Sequence, residues 1–79
     1  MPAFYFDTHR GNDITIDDEG IELADRVAVE TLALEALGQA ILDDAREHRT
    51  GVTKIEVRDA ASRIVLRASA AISIERLGS

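Results

Sequence analysis

The feature that most constrains the fold is one long helical stretch, residues 23–49, between segments whose apolar residues alternate as in strands. Its apolar residues recur at spacings of three and four, as on one face of an amphipathic helix. Asp25 is predicted to cap the helix, because its carboxylate can accept from the free N–H groups of the first turn. Gly51 is expected to end it. The predicted sheet-facing stripe contains Leu23, Val27, Leu34, Leu37, Ile41 and Ala45.

A second apolar row lies roughly opposite that stripe, and it consists of Val29, Leu32, Ala33, Ala36 and Ala40. A helix lying on one sheet face has no need of a second row. The row is therefore interpreted either as a self-association patch or as alanine-rich helix whose two larger residues are exposed singly or covered by a loop. Glu30 projects within the first stripe, either at its edge or paired with Arg26.

Length and composition narrow the class of protein. The chain has 79 residues and is expected to form one domain, residues 1–79. A chain of this size buries only about 60–65% of its unfolded surface, so a single-copy core is small. There is no cysteine, and the net charge of −6 is divided into −8 on residues 1–50 and +2 on residues 51–79. No apolar run is long enough to span a membrane and no signal peptide is visible, so a cytoplasmic protein is expected.

Four strands are predicted around the helix: residues 3–7, 13–17, 52–58 and 63–75, with a bend near residues 69–71. The order ββαββ predicts an α+β two-layer sandwich, in which a four-stranded, antiparallel-rich sheet carries one long helix on one face. The predicted inward set is Phe4, Phe6, Ile14, Ile16, Val27, Leu34, Leu37, Ile41, Ile55, Val57, Ile64, Leu66, Ile72 and Ile74.

Short motifs spread over most of the chain carry a family resemblance. They comprise Met1, Pro2, Phe4, Tyr5, Phe6 and Asp7, then Asp17, Gly20 and Leu23, then Val57, Asp59, Ile64 and Val65. With the alanine- and glutamate-rich helix, they resemble a family of short bacterial proteins classed as a domain of unknown function. The chain departs from that pattern at Ala24, where proline is expected. A more distant resemblance, at the level of the fold, is to HicB-type antitoxin domains, which implies no function.

Residues with chemical potential lack the patterns of a catalytic or metal site. Asp17, Asp18 and Glu19 do not have the spacing of a calcium loop and are interpreted as a solvated turn. His9 lies near carboxylates but has no second nitrogen or sulfur ligand beside it. No nucleophile elbow, P-loop or dinucleotide fingerprint is present. No enzyme activity, cofactor or metal is therefore predicted.

Five residues are predicted on the outer face of the sheet: Tyr5, Lys54, Arg58, Arg63 and Arg67. Such a face is an ordinary solvated surface, or it binds an acidic protein partner, including the helix of another copy. Basic residues with an aromatic can also hold RNA or single-stranded DNA, but one aromatic and the intervening Glu56 argue against nucleic acid.

The sequence thus predicts a non-enzymatic interaction or regulatory module that acts as a homodimer, with no membrane partner. The alternative is an antitoxin-like or nucleic-acid-associated regulator that uses the outer sheet face.

Overall fold

Five strands and one helix form the fold in the computed structural model, which describes residues 1–78. The elements are β1 (Ala3–Arg10), β2 (Asp13–Thr15), β3 (Ile21–Glu22), α1 (Arg26–Arg46), β4 (Gly51–Asp59) and β5 (Ile64–Ile72). One helix covers one face of an antiparallel sheet, which confirms the predicted α+β two-layer sandwich. The sheet has five strands rather than four, because the link before the helix adds the short β3.

The sheet is built around β1 and β4. Its strand order is β2-β1-β4-β5, and β3 pairs with the start of β1 on the same side as β2. Every pairing is antiparallel. β5 is the last strand in this order and pairs with β4, which leaves its other edge open within the described residues.

Several strand predictions are corrected. β2 ends at Thr15, and Ile14 and Ile16 are 58% and 59% exposed instead of in the core. β5 ends at Ile72, and Ile74 beyond it is exposed. Pairing runs through residues 69–71 where a bend was predicted, and the irregularity lies between Val57 and Arg58 instead.

The helix begins as predicted and ends differently. The carboxylate of Asp25 accepts from the backbone N–H of Ala28 at 2.9 Å, which confirms the N-cap. At the other end, Glu47 is the C-cap and His48 adopts a left-handed φ of 57°. His48 therefore takes the helix-ending conformation assigned to Gly51, whose φ of 113° lies at the start of β4.

The core lies between α1 and the two strands beneath it, β4 and β5. Its buried apolar residues are Phe4, Val29, Ala33, Leu37, Ile55 and Val57. Only Phe4, Leu37, Ile55 and Val57 of the predicted inward set are among them; Val27, Leu34 and Ile64 are exposed. α1 is therefore rotated about its axis relative to the predicted orientation, so that Val29, Ala33 and Leu37 face the sheet. This row is buried because it contains no unpaired charge and brings α1 close to the sheet.

Candidate functional site

The exposed side of α1 carries an apolar stripe that the rest of the described chain leaves uncovered. Val27, Leu34 and Leu42 are 71%, 55% and 44% exposed. Gly38 and Ala45 are exposed on the same side of the helix. We call these five residues the outer helix stripe. Aligned apolar side chains in water mark an interaction surface more often than single exposed ones do.

The predicted self-association patch is a different set of residues, and its outward placement is wrong. Val29 and Ala33 are 0% exposed against the sheet. Leu32, Ala36 and Ala40 are half-buried beside them, and Ala36 packs on the core. Val29 and Ala33 therefore belong to the interior of the chain, and the apolar residues that α1 exposes lie on another side of the helix.

Packing within residues 1–78 does not require a glycine at position 38. A Cβ placed there meets no atom within 4 Å, and the residue lies in the middle of a regular helix. Glycine in a helix interior costs about 1 kcal/mol relative to alanine. A small residue on an exposed helix face is suited to close approach by a surface outside the chain.

The outer face of the sheet is the other surface that no element covers. Cross-strand partners share a face, so the pairs Tyr5–Arg58, Asp7–Glu56 and His9–Lys54 lie together on it. Arg67 of β5 pairs with Glu56 and joins them. Alternation therefore correctly placed Tyr5, Lys54, Arg58 and Arg67 on one face.

Arg58 on that face is held by a buried carboxylate. Its Nε donates to Asp7 Oδ2 at 2.6 Å, and its Nη2 donates to the backbone oxygen of Asp17 at 2.9 Å. Asp7 is 5% exposed, and the hydrogen bond from Arg58 is the main cause that keeps its pKa below the usual range. The guanidinium also lies 5.1 Å from the centre of the Tyr5 ring.

The turn after β2 is fastened to the same cluster. Asp17 accepts from the backbone N–H of Phe6 at 3.0 Å, and its own N–H donates to Asp7 at 3.0 Å. The bond from Phe6 is the main cause that lowers the pKa of Asp17, and the N–H groups of Glu19 and Gly20 add to it. Asp17, which is half-buried, thus organises its own turn and fastens it to β1.

Glu56 is the centre of a second charged cluster. Arg67 Nε lies 2.6 Å from Glu56 Oε2, His9 Nε2 lies 2.9 Å from Oε1, and Lys54 Nζ lies 3.9 Å from Oε2. The hydrogen bond from Arg67 is the main cause that lowers the pKa of Glu56. Arg63, in the turn before β5, pairs with Asp59 at 3.2 Å. The four predicted cations therefore lie beside three carboxylates, with Lys54 and Arg67 sharing Glu56, so the face has little net positive charge to offer nucleic acid.

The inner side of the sheet carries a polar cluster that the sequence did not indicate. Asp44, 7% exposed at the end of α1, binds the guanidinium of Arg10 and accepts from Thr53 Oγ1 at 3.0 Å. The bond from Arg10 is the main cause that lowers the pKa of Asp44, and it raises that of Arg10. One signal in the sequence could have indicated that Asp44 faces the sheet. It lies seven residues, about two turns, after Leu37 and therefore on the same helix face as Val29, Ala33 and Leu37.

A shallow cleft of about 340 Å³ opens beside this cluster. It is lined by Arg10, Asp44, Arg49 and Thr53 among others, and two of these side chains already bind each other. Residues 1–78 contain no group of three or more histidine, cysteine, aspartate or glutamate side chains arranged to hold a metal ion. Within the same residues, no helix is long and apolar enough to cross a membrane.

Comparison with known proteins identifies the family. The model of the family described as Domain of unknown function (DUF6894) matches residues 3–71, so the chain belongs to that family. No curated protein and no solved structure matches significantly.

Proposed function

We propose that this member of the family is a small, non-enzymatic protein-interaction module that acts as a homodimer. We further propose a bacterial, cytoplasmic protein, and the cysteine-free composition is compatible with that reducing compartment. The proposal depends on one surface, the outer helix stripe, and on the small core beneath the helix.

The outer helix stripe supports self-association by its composition and alignment. Three large apolar side chains lie on one exposed side of α1 around a glycine that nothing in the chain requires. The buried apolar core has only six residues, and one of them is an alanine. A second helix against the stripe would remove the exposed apolar surface from water, at about 25 cal/mol per Å².

A charge in the stripe tests the dimer. We expect the wild-type chain to have twice its monomer mass in size exclusion with light scattering at micromolar concentration, and to dissociate on dilution. Leu34→Glu is expected to weaken dimerisation at least a hundredfold, because a carboxylate would be buried without a partner. Ala60→Glu adds the same charge in an exposed turn and should leave the mass unchanged. A wild-type chain that stays monomeric throughout a dilution series rules out the homodimer.

The second candidate is a nucleic-acid-associated, antitoxin-like regulator, and it is supported by the uncovered sheet face with Tyr5, Lys54, Arg58 and Arg67. Arg63 and Arg67 remain 79% and 61% exposed beyond their carboxylate partners. The pairing of all four cations weakens this candidate relative to the homodimer. Salt-sensitive binding to short RNA or DNA would support it, and its absence at low salt would remove it.

A further inference from the structure

We propose that the second copy joins through the open edge of β5, so that two sheets become one continuous sheet and two α1 helices pack side by side on it. This inference rests on the proposed homodimer and states how it is built. A β edge is complementary to another β edge because both present unpaired N–H and C=O groups. β5 is nine residues long and contains no proline or lysine to block such pairing.

The N–H and C=O groups of each β1 residue point either towards β4 or away from it. Once this is known for β1, the strand pairing fixes the directions of the same groups in β4 and β5. Successive residues of a strand point their N–H and C=O groups alternately to its two sides. Phe6 donates to Asp17 on the side away from β4. Its neighbours Tyr5 and Asp7 therefore bond to β4, through their partners Arg58 and Glu56.

The same alternation then identifies the open groups of β5. Because Glu56 points to β1, its neighbours in β4, Ile55 and Val57, point to β5. Their partners Ala68 and Leu66 point back to β4. The intervening and following residues of β5, Arg67, Ser69 and Ala71, consequently direct their N–H and C=O groups to the open edge.

The helix lies beside this edge. α1 packs on β4 and β5, and Arg26 at its start donates to the backbone oxygen of Val65 in β5 at 3.4 Å. α1 runs in the same direction as β5, from the end of the sheet near Val65 to the end near Thr53. The hydrogen-bond directions and the L-configuration of the residues fix on which side of β5 its open edge lies when the sheet is viewed from α1. Because α1 is right-handed, the residue about 100° beyond the buried Ala33 points towards that open edge, away from β4. That residue is Leu34 of the outer helix stripe.

The spacing of the two layers is compatible with both contacts at once. Neighbouring strands lie about 4.8 Å apart, so a helix over the β4–β5 boundary lies about 5 Å from a two-fold axis between two paired β5 strands. Two such helices are then about 10 Å apart, near the 8–10 Å of packed helices. Edge pairing thus brings the Leu34 side of the outer helix stripe against its symmetry mate without a change of fold.

The two helices run in opposite directions in this arrangement, because a two-fold axis through antiparallel β5 strands also makes the helices antiparallel. Glu30 lies on the Leu34 side of α1. It would therefore lie near the C-terminal end of the partner helix, where Arg46 and Arg49 lie together with Asp43 and Glu47.

Proline at an outward-pointing position tests the edge. Ser69→Pro removes an N–H that points to the open edge and leaves the β4–β5 ladder intact. We expect a folded monomer with dimer affinity reduced at least a hundredfold. Ser69→Ala keeps the N–H and removes only the hydroxyl, so it is expected to dimerise as wild type.

Hydrogen exchange on the unmodified chain gives an independent result, which also applies should Ser69→Pro fail to fold. We expect the amides of Arg67, Ser69 and Ala71 to exchange at least tenfold more slowly at dimer concentrations than after dilution to monomer. A dimer whose three edge amides exchange freely overturns edge pairing and leaves the proposed homodimer standing. A wild-type chain that never dimerises overturns both.

Discussion

The two sides of α1 differ in a way that residue size does not predict. The side against the sheet has Val29, Ala33 and Leu37, two of which are small or medium in size, and all are buried. The outer side has Val27 and Leu34, which are more than half exposed. Each side thus has a valine and a leucine, so the apolar area available for burial does not decide which side faces the sheet.

Continuity explains the choice better than size. The inward row runs without a polar residue from Val29 to Ala40 and ends at Asp44, whose charge is matched by Arg10. The outer side is interrupted by Glu30, which would have been an unpaired buried carboxylate had that side faced the sheet. Small residues also allow α1 to approach Ile55 and Val57 closely. The side of α1 that faces the sheet is therefore the one that can be buried without leaving a charge unpaired.

The largest expected effect separates the two sides by truncation of one leucine on each. Leu37→Ala is expected to lower the free energy of unfolding by about 3 kcal/mol, because it leaves a cavity in the core. Leu34→Ala removes the same atoms from an exposed site and is expected to change monomer stability by less than about 0.5 kcal/mol.

Urea unfolding at the lowest workable concentration measures both variants, since dimerisation adds concentration-dependent stability. Equal losses for the two leucines would show that Leu34 is as buried as Leu37 in the monomer, and the comparison of the two sides would fail.

Acid provides a second way to test the inward row, through Asp44 at its end. The pKa of this carboxyl is held below its ordinary value of 3.8, chiefly by the hydrogen bond from Arg10. A carboxyl with a lowered folded-state pKa stabilises the fold above its unfolded pKa, and that contribution is lost as the pH falls through the folded pKa. The contribution of Asp44 is therefore complete at neutral pH and disappears as the pH falls below about 4.

Thermal unfolding between pH 7 and pH 3 measures this effect. We expect Asp44→Asn to be less stable than wild type at pH 7 and to lose less of its melting temperature on acidification. Asp18→Asn, at an exposed position, controls for the loss of one negative charge. Parallel curves for wild type and Asp44→Asn would show that Asp44 contributes nothing through its charge.

The sequence predicted the elements better than their relations. Alternation in β1 and β4 correctly separated Phe4 and Ile55 from Tyr5 and Arg58, because a period of two depends only on local geometry. Asp25 was correctly predicted as the N-cap for the same local reason. The predicted orientation of α1 about its axis was wrong because the helix has two apolar rows, either of which could face the sheet. Glu30 could have decided between them, because it lies in only one of the two rows.

The charged clusters could not be derived from the sequence, because they depend on strand register. Asp7 and Arg58 are 51 residues apart, and Arg10 and Asp44 are 34 apart. Which carboxylate faces which guanidinium follows from the β1–β4 pairing and from the rotation of α1. The interpretation of the outer face as basic included the cations and Glu56, but it lacked the partners Asp7 of Arg58 and Asp59 of Arg63.

The smallest expected effect concerns Gly38, where one substitution is expected to change monomer stability and dimer affinity in opposite directions. Gly38→Ala is expected to raise monomer stability by up to about 1 kcal/mol, because alanine favours the helix and the new methyl group contacts nothing in the chain. The same methyl group should weaken the dimer several-fold if two helices approach closely at this point.

Gln39→Ala, one residue away, is the control, because it changes the helix without adding an atom to the outer helix stripe. Urea unfolding and dilution size exclusion on both variants separate the two effects. A Gly38→Ala chain with higher stability and undiminished dimer affinity would show that the helices do not meet at Gly38, and the contact would then lie towards Val27 and Leu34.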